Sequence, residues 1–200
     1  MSPVRCTLLG IGAAASPRYP PAGLLIRGAR SRVAIDGGPG AEADGRLDAW
    51  LVTDERAELM PAIRRAARAR HLEPSVAAFE TEGLRIRPRP VVHTSHSAFG
   101  YLIEADSKRI AWAPEFFSFP DWADGIDLMF AEAASWERPI RFAGGVGGHA
   151  PLLQVAEEAR RRGVRRLVFA HLGRPTLRAV DRGERLRFGE IGEVGRTYRV

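Results

Sequence analysis

Apolar positions along this chain fall mostly into short runs closed by Gly, Pro or Asp, the pattern of buried strands, and seldom into helical spacing. Arg5 to Ile11 reads as a first strand that ends in a glycine turn, followed by strands at Leu24 to Arg27, Arg32 to Asp36 and Leu47 to Thr53. Pro61 then opens a helix in which Ile63 and the alanines recur at helical spacing up to about Arg70. The second half repeats the plan. Short strands are expected at Leu84 to Arg87, Val91 to Val92, Phe99 to Glu104 and Arg109 to Ala113, with a hairpin turn at Ala105-Asp106-Ser107. Ile126 to Ala131 is a buried strand, Pro151 to Arg162 a helix stopped by Gly163, and Val164 to Ala170 another core strand. Arg185 to Phe188 and Thr197 to Val200 are expected to finish the fold at an edge. Strand runs each closed by a helix argue for two sheets packed between helix layers, within one domain over residues 1–200.

With 45% hydrophobic residues and 27% charge, the chain can bury a sizeable core. No run approaches the ~20 apolar residues that span a bilayer, so no membrane role is expected. Arg5, the apolar stretch to Ile11 and Ala13-Ala14-Ala15-Ser16 imitate a secretory leader, but that stretch sits at the ~7-residue minimum and Gly10 interrupts it. Cys6 is the only cysteine, which excludes an internal disulfide and a cysteine metal cluster. A cytoplasmic location is the expectation. The net charge of +6 is almost all arginine, since Lys108 is the only lysine, and it is spread along the whole chain. The densest run, Arg160 to Arg162 with Arg165 and Arg166, closes a helix, where cations favour the helix dipole. Nucleic acid is therefore a conceivable partner without a distinct patch to carry it.

Gly10-Ile11-Gly12-Ala13-Ala14-Ala15 formally fits a dinucleotide-binding glycine pattern, with Asp36 downstream. Pro17, Pro20 and Pro21 break the helix that pattern requires, which leaves a tight turn. The histidines are more informative. His93, His96, His149 and His171 all lie in the second half, each beside a turn-like or glycine-rich stretch. Imidazoles at strand ends, joined by Glu115 just past one strand and Glu132 at the end of another, converge where several strands point the same way. Gly144 to Gly148 precedes His149 as a mobile loop or an anion-binding backbone nest. Phe116, Phe117, Phe119 and Trp122 form a cluster read as core, with an apolar lid or a homodimer contact as the alternatives.

Taken in order, Leu9-Gly10-Ile11-Gly12, Val33 to Gly38, Leu47 to Thr53, His93, Phe99 to Ile103, Ile110 to Glu115, Glu132, His149 and Leu167 to His171 resemble the metallo-β-lactamase superfamily, in its ribonuclease Z and cyclic phosphodiesterase branch. The resemblance implies a four-layer α/β/β/α sandwich. It also implies a metal signature, Thr-His-x-His-x-Asp-His, which here reads Thr53-Asp54-Glu55-Arg56-Ala57-Glu58-Leu59. Asp54 and Arg56 stand for the first two histidines, Glu58 for the aspartate and Leu59 for the last histidine. Leu59 cannot ligate, and Arg56 brings a permanent positive charge. Asp54 and Glu58 are the doubtful oxygen ligands. Glu115 takes the bridging carboxylate position, His93 and His171 match retained metal ligands, and His149 matches a proton donor or phosphate contact. His96 receives no role. No ribonuclease Z arm is visible between Leu59 and Arg87.

Members with intact sites use two metals to activate a bridging water. A dizinc centre is not expected from the residues present. The favoured reading is a divergent member with a degraded, metal-free site in which Arg56 replaces the lost charge by pairing with Glu58, Glu115 or Asp54, and whose cleft binds a phosphate-containing or other small ligand, or a partner. The second is a phosphodiester or ester hydrolase with a single zinc or manganese held by His93, Glu115 and His171, with His149 as proton donor. The third is an arginine-rich nucleic-acid binding module.

Overall fold

A computed structural model describes residues 3–200. Strands β1 (Arg5–Gly10), β2 (Gly23–Arg27) and β3 (Arg32–Asp36) form an antiparallel meander. Strand β4 (Ala49–Leu51) runs parallel to β3, and the late β14 (Thr197–Arg199) returns to pair with β1, giving the order β14-β1-β2-β3-β4. Helix α1 (Met60–Arg68) starts with a proline in its first turn and buries Met60, Ile63 and Ala67. That apolar stripe covers Leu25, Ala34, Trp50 and Val52 on the outer face of this sheet.

The second sheet has the order β13-β12-β9-β8-β7-β6-β5. Its strands are β5 (Phe79–Thr81), β6 (Leu84–Val91), β7 (Ala98–Ala105), β8 (Lys108–Ala113), β9 (Leu128–Ala133), β12 (Leu167–Leu172) and β13 (Glu190–Ile191). From β5 to β8 the pairs are antiparallel; from β8 to β13 they are parallel. Every residue of β9 and β12 is buried, as a parallel strand covered on both faces requires. Helix α2 (Leu152–Arg161) makes the crossover between them and buries Leu152, Val155, Ala156 and Ala159. A small hairpin, β10 (Ile140–Arg141) with β11 (Gly148–His149), precedes α2, and α3 (Arg174–Asp181) follows β12.

Between the sheets, Cys6, Leu8, Leu24, Ile26, Val33 and Ile35 meet Tyr101, Ile103, Ile110, Trp112, Phe130 and Phe169. Helix, sheet, sheet and helix therefore stack as the expected four layers. Several expected elements differ in detail. Leu47 to Thr53 pairs only at Ala49–Leu51. Leu84 to Arg87 and Val91 belong to one strand, with Val92 just past its end, because Pro88 and Pro90 sit where β6 pairs with β7 alone and no second ladder needs their N–H. Arg185 to Phe188 is not a strand: Gly189, at φ 87°, turns the chain first, and pairing begins at Glu190. Helix α3 was not expected: it is only eight residues long and buries Thr176, Leu177 and Ala179.

Candidate metal centre

Six chain segments deliver side chains to one end of the two sheets. Asp36 ends β3, Thr53 and Asp54 follow β4, His93 follows β6, Glu115 follows β8, Glu132 lies near the end of β9 and His171 near the end of β12. Asp36 (φ 55°) and His171 (φ 64°) both adopt the left-handed backbone region, a local strain of roughly 1–3 kcal/mol each that the surrounding structure must hold. Asp36 accepts bonds from the Thr53 backbone (2.7 Å) and hydroxyl (3.0 Å) and from Trp112 Nε1 (2.7 Å), so it ties the two sheets together. Burial pushes its carboxyl up to about 6, against those hydrogen bonds.

Glu115 bridges two imidazoles. His93 Nε2 lies 2.9 Å from Oε2, and His171 Nε2 lies 2.8 Å from Oε1. The far nitrogens also face acceptors: His93 Nδ1 lies 2.9 Å from the Gly148 carbonyl, and His171 Nδ1 lies 3.4 Å from Glu132 Oε1. An imidazole between two acceptors is favoured as the imidazolium, which donates from both nitrogens. Burial opposes that charge in His171, but Glu115 and Glu132 override it and raise the ring to about 10. His93 is raised for the same reason, by Glu115. Glu115 is held well below the usual carboxylate range by His171 and His93, despite burial. Two carboxylates and two imidazolium ions thus balance to zero net charge.

Glu132 is fully buried and accepts four bonds, from the backbone of Phe116 (3.1 Å) and Ala134 (2.7 Å) and from His149 Nδ1 (2.7 Å) and His171 Nδ1 (3.4 Å). His149 and His171 stack with ring centroids 5.3 Å apart, and His149 lies 4.8 Å from His93. The Gly144 to Gly148 run serves this cluster. A Cβ at Gly147 would lie 2.0 Å from the His93 carbonyl, so this part of the loop is packed against the site, whereas Gly144 and Gly145 face open space.

The other side of the site is different. Arg56 and Glu58 are exposed, and the Arg56 guanidinium forms no ion pair among the described residues. The expected pairing of Arg56 with Glu58, Glu115 or Asp54 is absent: only its backbone N–H bonds, to Asp54 Oδ1 at 2.7 Å. The turn after Asp54 points its long side chains to solvent, and protonated His93 and His171 balance the carboxylates instead. Asp54 lies away from Glu115 and pairs with His96 Nε2 at 2.8 Å, which gives His96 the partner the sequence did not reveal. Leu59 lines a cavity of about 50 Å³ together with Glu115, His171, Asp36 and Thr53. Asp54, Glu55, Arg56, Val76, Ser95, His96, Ser97 and Phe99 line a neighbouring groove of about 570 Å³. Phe116 is core, and none of Phe116, Phe117, Phe119 and Trp122 lines the small cavity.

A family model described as a beta-lactamase superfamily domain matches residues 38–172. The chain belongs to this family. Solved metallo-β-lactamase-fold structures agree. The fold protein YhfI from Bacillus subtilis superposes with a TM-score of 0.78 at 15% identity, covering 100% of both chains. Zn(2+)-bound PqqB from Methylobacterium extorquens gives 0.70 at 12% identity, over 98% of this chain and 100% of that one. The short form of human tRNase Z gives 0.67 at 15%, over 97% and 98%. No curated protein matches by sequence.

The family implies metal, and the donors present can be tested against it. Glu132, His149 and His171 bring three potential donor atoms within 4.8 Å of one another, a candidate metal site by spacing. Glu132, however, has both oxygens filled by four donors, two of them backbone N–H groups. At Glu115 the two histidines approach opposite oxygens, so a metal on either side would find one imidazole and one carboxylate oxygen. Zinc sites take about three protein ligands or more. With Leu59 in the wall and Arg56 and Glu58 in solvent, the residues do not fit a dinuclear centre.

The sequence undervalued Asp36 and Glu132. Both had one signal, an acid closing a strongly apolar strand.

Proposed function

We propose that this metallo-β-lactamase-fold protein is not a dizinc hydrolase and that it binds a small phosphate- or carboxylate-bearing ligand in the groove beside the former metal site. The observation that carries this reading is geometric: His93 Nε2 and His171 Nε2, the atoms that would ligate metal, lie 2.9 and 2.8 Å from opposite oxygens of Glu115, within hydrogen-bond reach of a carboxylate that already joins them. Metal binding would have to break those contacts and leave the carboxylates without their present partners. The small cavity, at about 50 Å³, has space for a few waters and for no larger organic ligand. The groove is larger, and although Asp54 and Glu55 also line it, Asp54 is engaged by His96 and the Arg56 backbone N–H and Glu55 by the Val76 N–H, which leaves the unpaired Arg56 guanidinium with Ser95 and Ser97 for an anionic oxygen.

The test has two measurements. Protein purified without chelator is expected to hold well below one zinc or manganese per chain and to leave a generic phosphodiester uncleaved when either ion is added. Inorganic phosphate is expected to raise Tm in the unaltered chain, and Arg56→Ala is expected to remove that rise. Stoichiometric metal with hydrolysis lost on His171→Ala would overturn the proposal.

One observation favours the hydrolase reading. His93 and His171 are each oriented through Nδ1, by a carbonyl and by a carboxylate, as metal-binding histidines are. A single ion held by His93, Glu115 and His171, with His149 positioned by Glu132 as proton donor, is that second reading, and the metal titration decides between the two.

A further inference from the structure

The arginines that look scattered in sequence do not stay scattered in the fold. In the first sheet, Arg5 lies directly opposite Arg199 on one side and Arg27 on the other, and Arg27 lies opposite Arg32. Directly paired residues share a face of the sheet, so Arg199, Arg5, Arg27 and Arg32 form one row across four adjacent strands. Their flanking neighbours Cys6, Ile26, Val33 and Tyr198 point into the core, which places the row on the outer face. Helix α1 covers that face only around Leu25, Ala34 and Trp50. Asp36 marks the site end of β3, so Arg32 and the rest of the row lie roughly 13 Å away at the opposite end. Arg30 adds an exposed guanidinium in the hairpin beside it.

The row is not neutralised. Among the described residues none of these guanidiniums pairs with a carboxylate; Arg32 reaches only the Asp44 carbonyl. Asp48 binds the Arg32 backbone N–H and pairs with Arg46. Arg27 and Arg32 each bury Nε without a hydrogen-bond partner, which leaves part of the charge shielded from water and uncompensated. The densest arginine run in the sequence behaves in the opposite way. Arg160, Arg161, Arg162, Arg165 and Arg166 all pair with acids, namely Glu157, Glu158, Asp121, Asp124, Asp127 and Glu190.

We propose that the row Arg199, Arg5, Arg27 and Arg32 is a binding surface for the phosphate backbone of a nucleic acid. Three strand spacings of ~4.8 Å give a line of charge ~14 Å long. A duplex strand presents a phosphate every ~3.4 Å along its axis, so about four phosphates lie within reach of the row. Guanidinium forks suit phosphate oxygens. The adjoining row is Thr7 and Thr197, bonded to each other through their hydroxyls at 2.8 Å. The exposed large apolar residues, Val92, Val146, Leu153, Val180 and Val194, all lie elsewhere, so the row offers no wedge for a bilayer and no apolar anchor for a protein partner. Contacts of this kind carry no sequence information.

The experiment measures binding of the full chain to a labelled random-sequence duplex over a range of salt. The expected slope of log affinity against log salt is about −3 to −4, from about −0.9 per phosphate contact. A triple variant, Arg5→Gln with Arg27→Gln and Arg199→Gln, is expected to flatten the slope to about −1 and to lose at least about tenfold in affinity near 0.1 M salt. A control with the same charge loss, Arg160→Gln, Arg161→Gln and Arg165→Gln, is expected to stay within about twofold. If the triple variant misfolds, the single changes at exposed Arg5 and Arg199 are each expected to reduce the slope by about 0.9. Equal loss in the control, no salt-dependent binding, or binding to phosphatidylserine vesicles without duplex binding would each overturn the proposal.

Discussion

At the scale of single residues, the site is a charge balance with a definite pH signature. His171 is raised from 6.5 to about 10, so its contribution to stability is complete below about 6.5 and is lost as pH rises through 10. His93 shifts in the same direction. Glu115 and Glu132 are lowered from 4.5, so their contribution is complete above that value and is lost as pH falls through their folded-state values. Asp36, raised from 3.8 to about 6, adds a loss of stability as pH rises across that interval. Thermal melts are therefore expected to show the highest Tm near pH 5 and a decline toward pH 10. Glu115→Gln is expected to flatten the alkaline limb and to cost ~3–5 kcal/mol, because it leaves two buried imidazolium ions without their shared partner. An alkaline limb unchanged in that variant would refute the assignment of charge. Cys6 gives a second check. It is fully buried, and burial pushes its thiol up to about 12, so alkylation at neutral pH is expected only after the chain is denatured. Residue types made His93, Glu115, His149 and His171 visible in the sequence, since few side chains do such chemistry. Asp36 was visible only as an acid at a strand end, because its value depends on Trp112 and Thr53, which the chain brings from far away.

At the scale of elements, hydrophobic period made most strands and two helices legible. Helix α3 was not, because it buries Thr176 beside Leu177 and Ala179 and satisfies the threonine hydroxyl on the Ala133 carbonyl, a contact no local pattern encodes. The pairing register was equally hidden, and the arginine row exists only through it. Like charges directly opposite in a sheet repel, so the row has a cost in the free protein. Arg5→Gln is expected to raise Tm by about 1–3 °C at low salt. The gain is expected to fade near 0.5 M salt, where charges are screened within a few ångströms, and melts at both salt levels check this. A fall in Tm at low salt would mean that Arg5 has a structural partner instead. The loop beside His93 gives the opposite sign. Gly147 has φ 156° and no space for a Cβ, so Gly147→Ala is expected to destabilise the chain and to displace His93 from the Gly148 carbonyl, readable by NMR as an upfield change of the His93 Nδ1–H signal.

At the scale of the whole molecule, the question is what holds the metal-binding end of the scaffold together. In a metallo-β-lactamase fold that depends on its ions, strand ends carrying ligands repel one another until metal arrives, and chelation loosens the fold. Here the same strand ends are already joined: β8 to β12 through Glu115 and His171, β9 to β11 and β12 through Glu132, and β3 to β8 through Asp36 and Trp112. Every one of these links is an internal hydrogen bond or ion pair, and none needs a bound ion. The two-sheet core supplies the remaining stability without regard to the site. EDTA is therefore expected to leave Tm unchanged, and zinc at about ten times the protein concentration to raise it by less than about 1 °C. A resident ion bound a thousandfold below its free concentration would contribute about 4 kcal/mol, a shift of roughly 8 °C or more that a melt cannot miss. Repeating the titration at pH 9 sharpens the result, since zinc competes with protons for His93 and His171. A zinc-induced rise that grows with pH would show that the imidazoles still recruit metal once their protons leave, and would return the protein to the hydrolases.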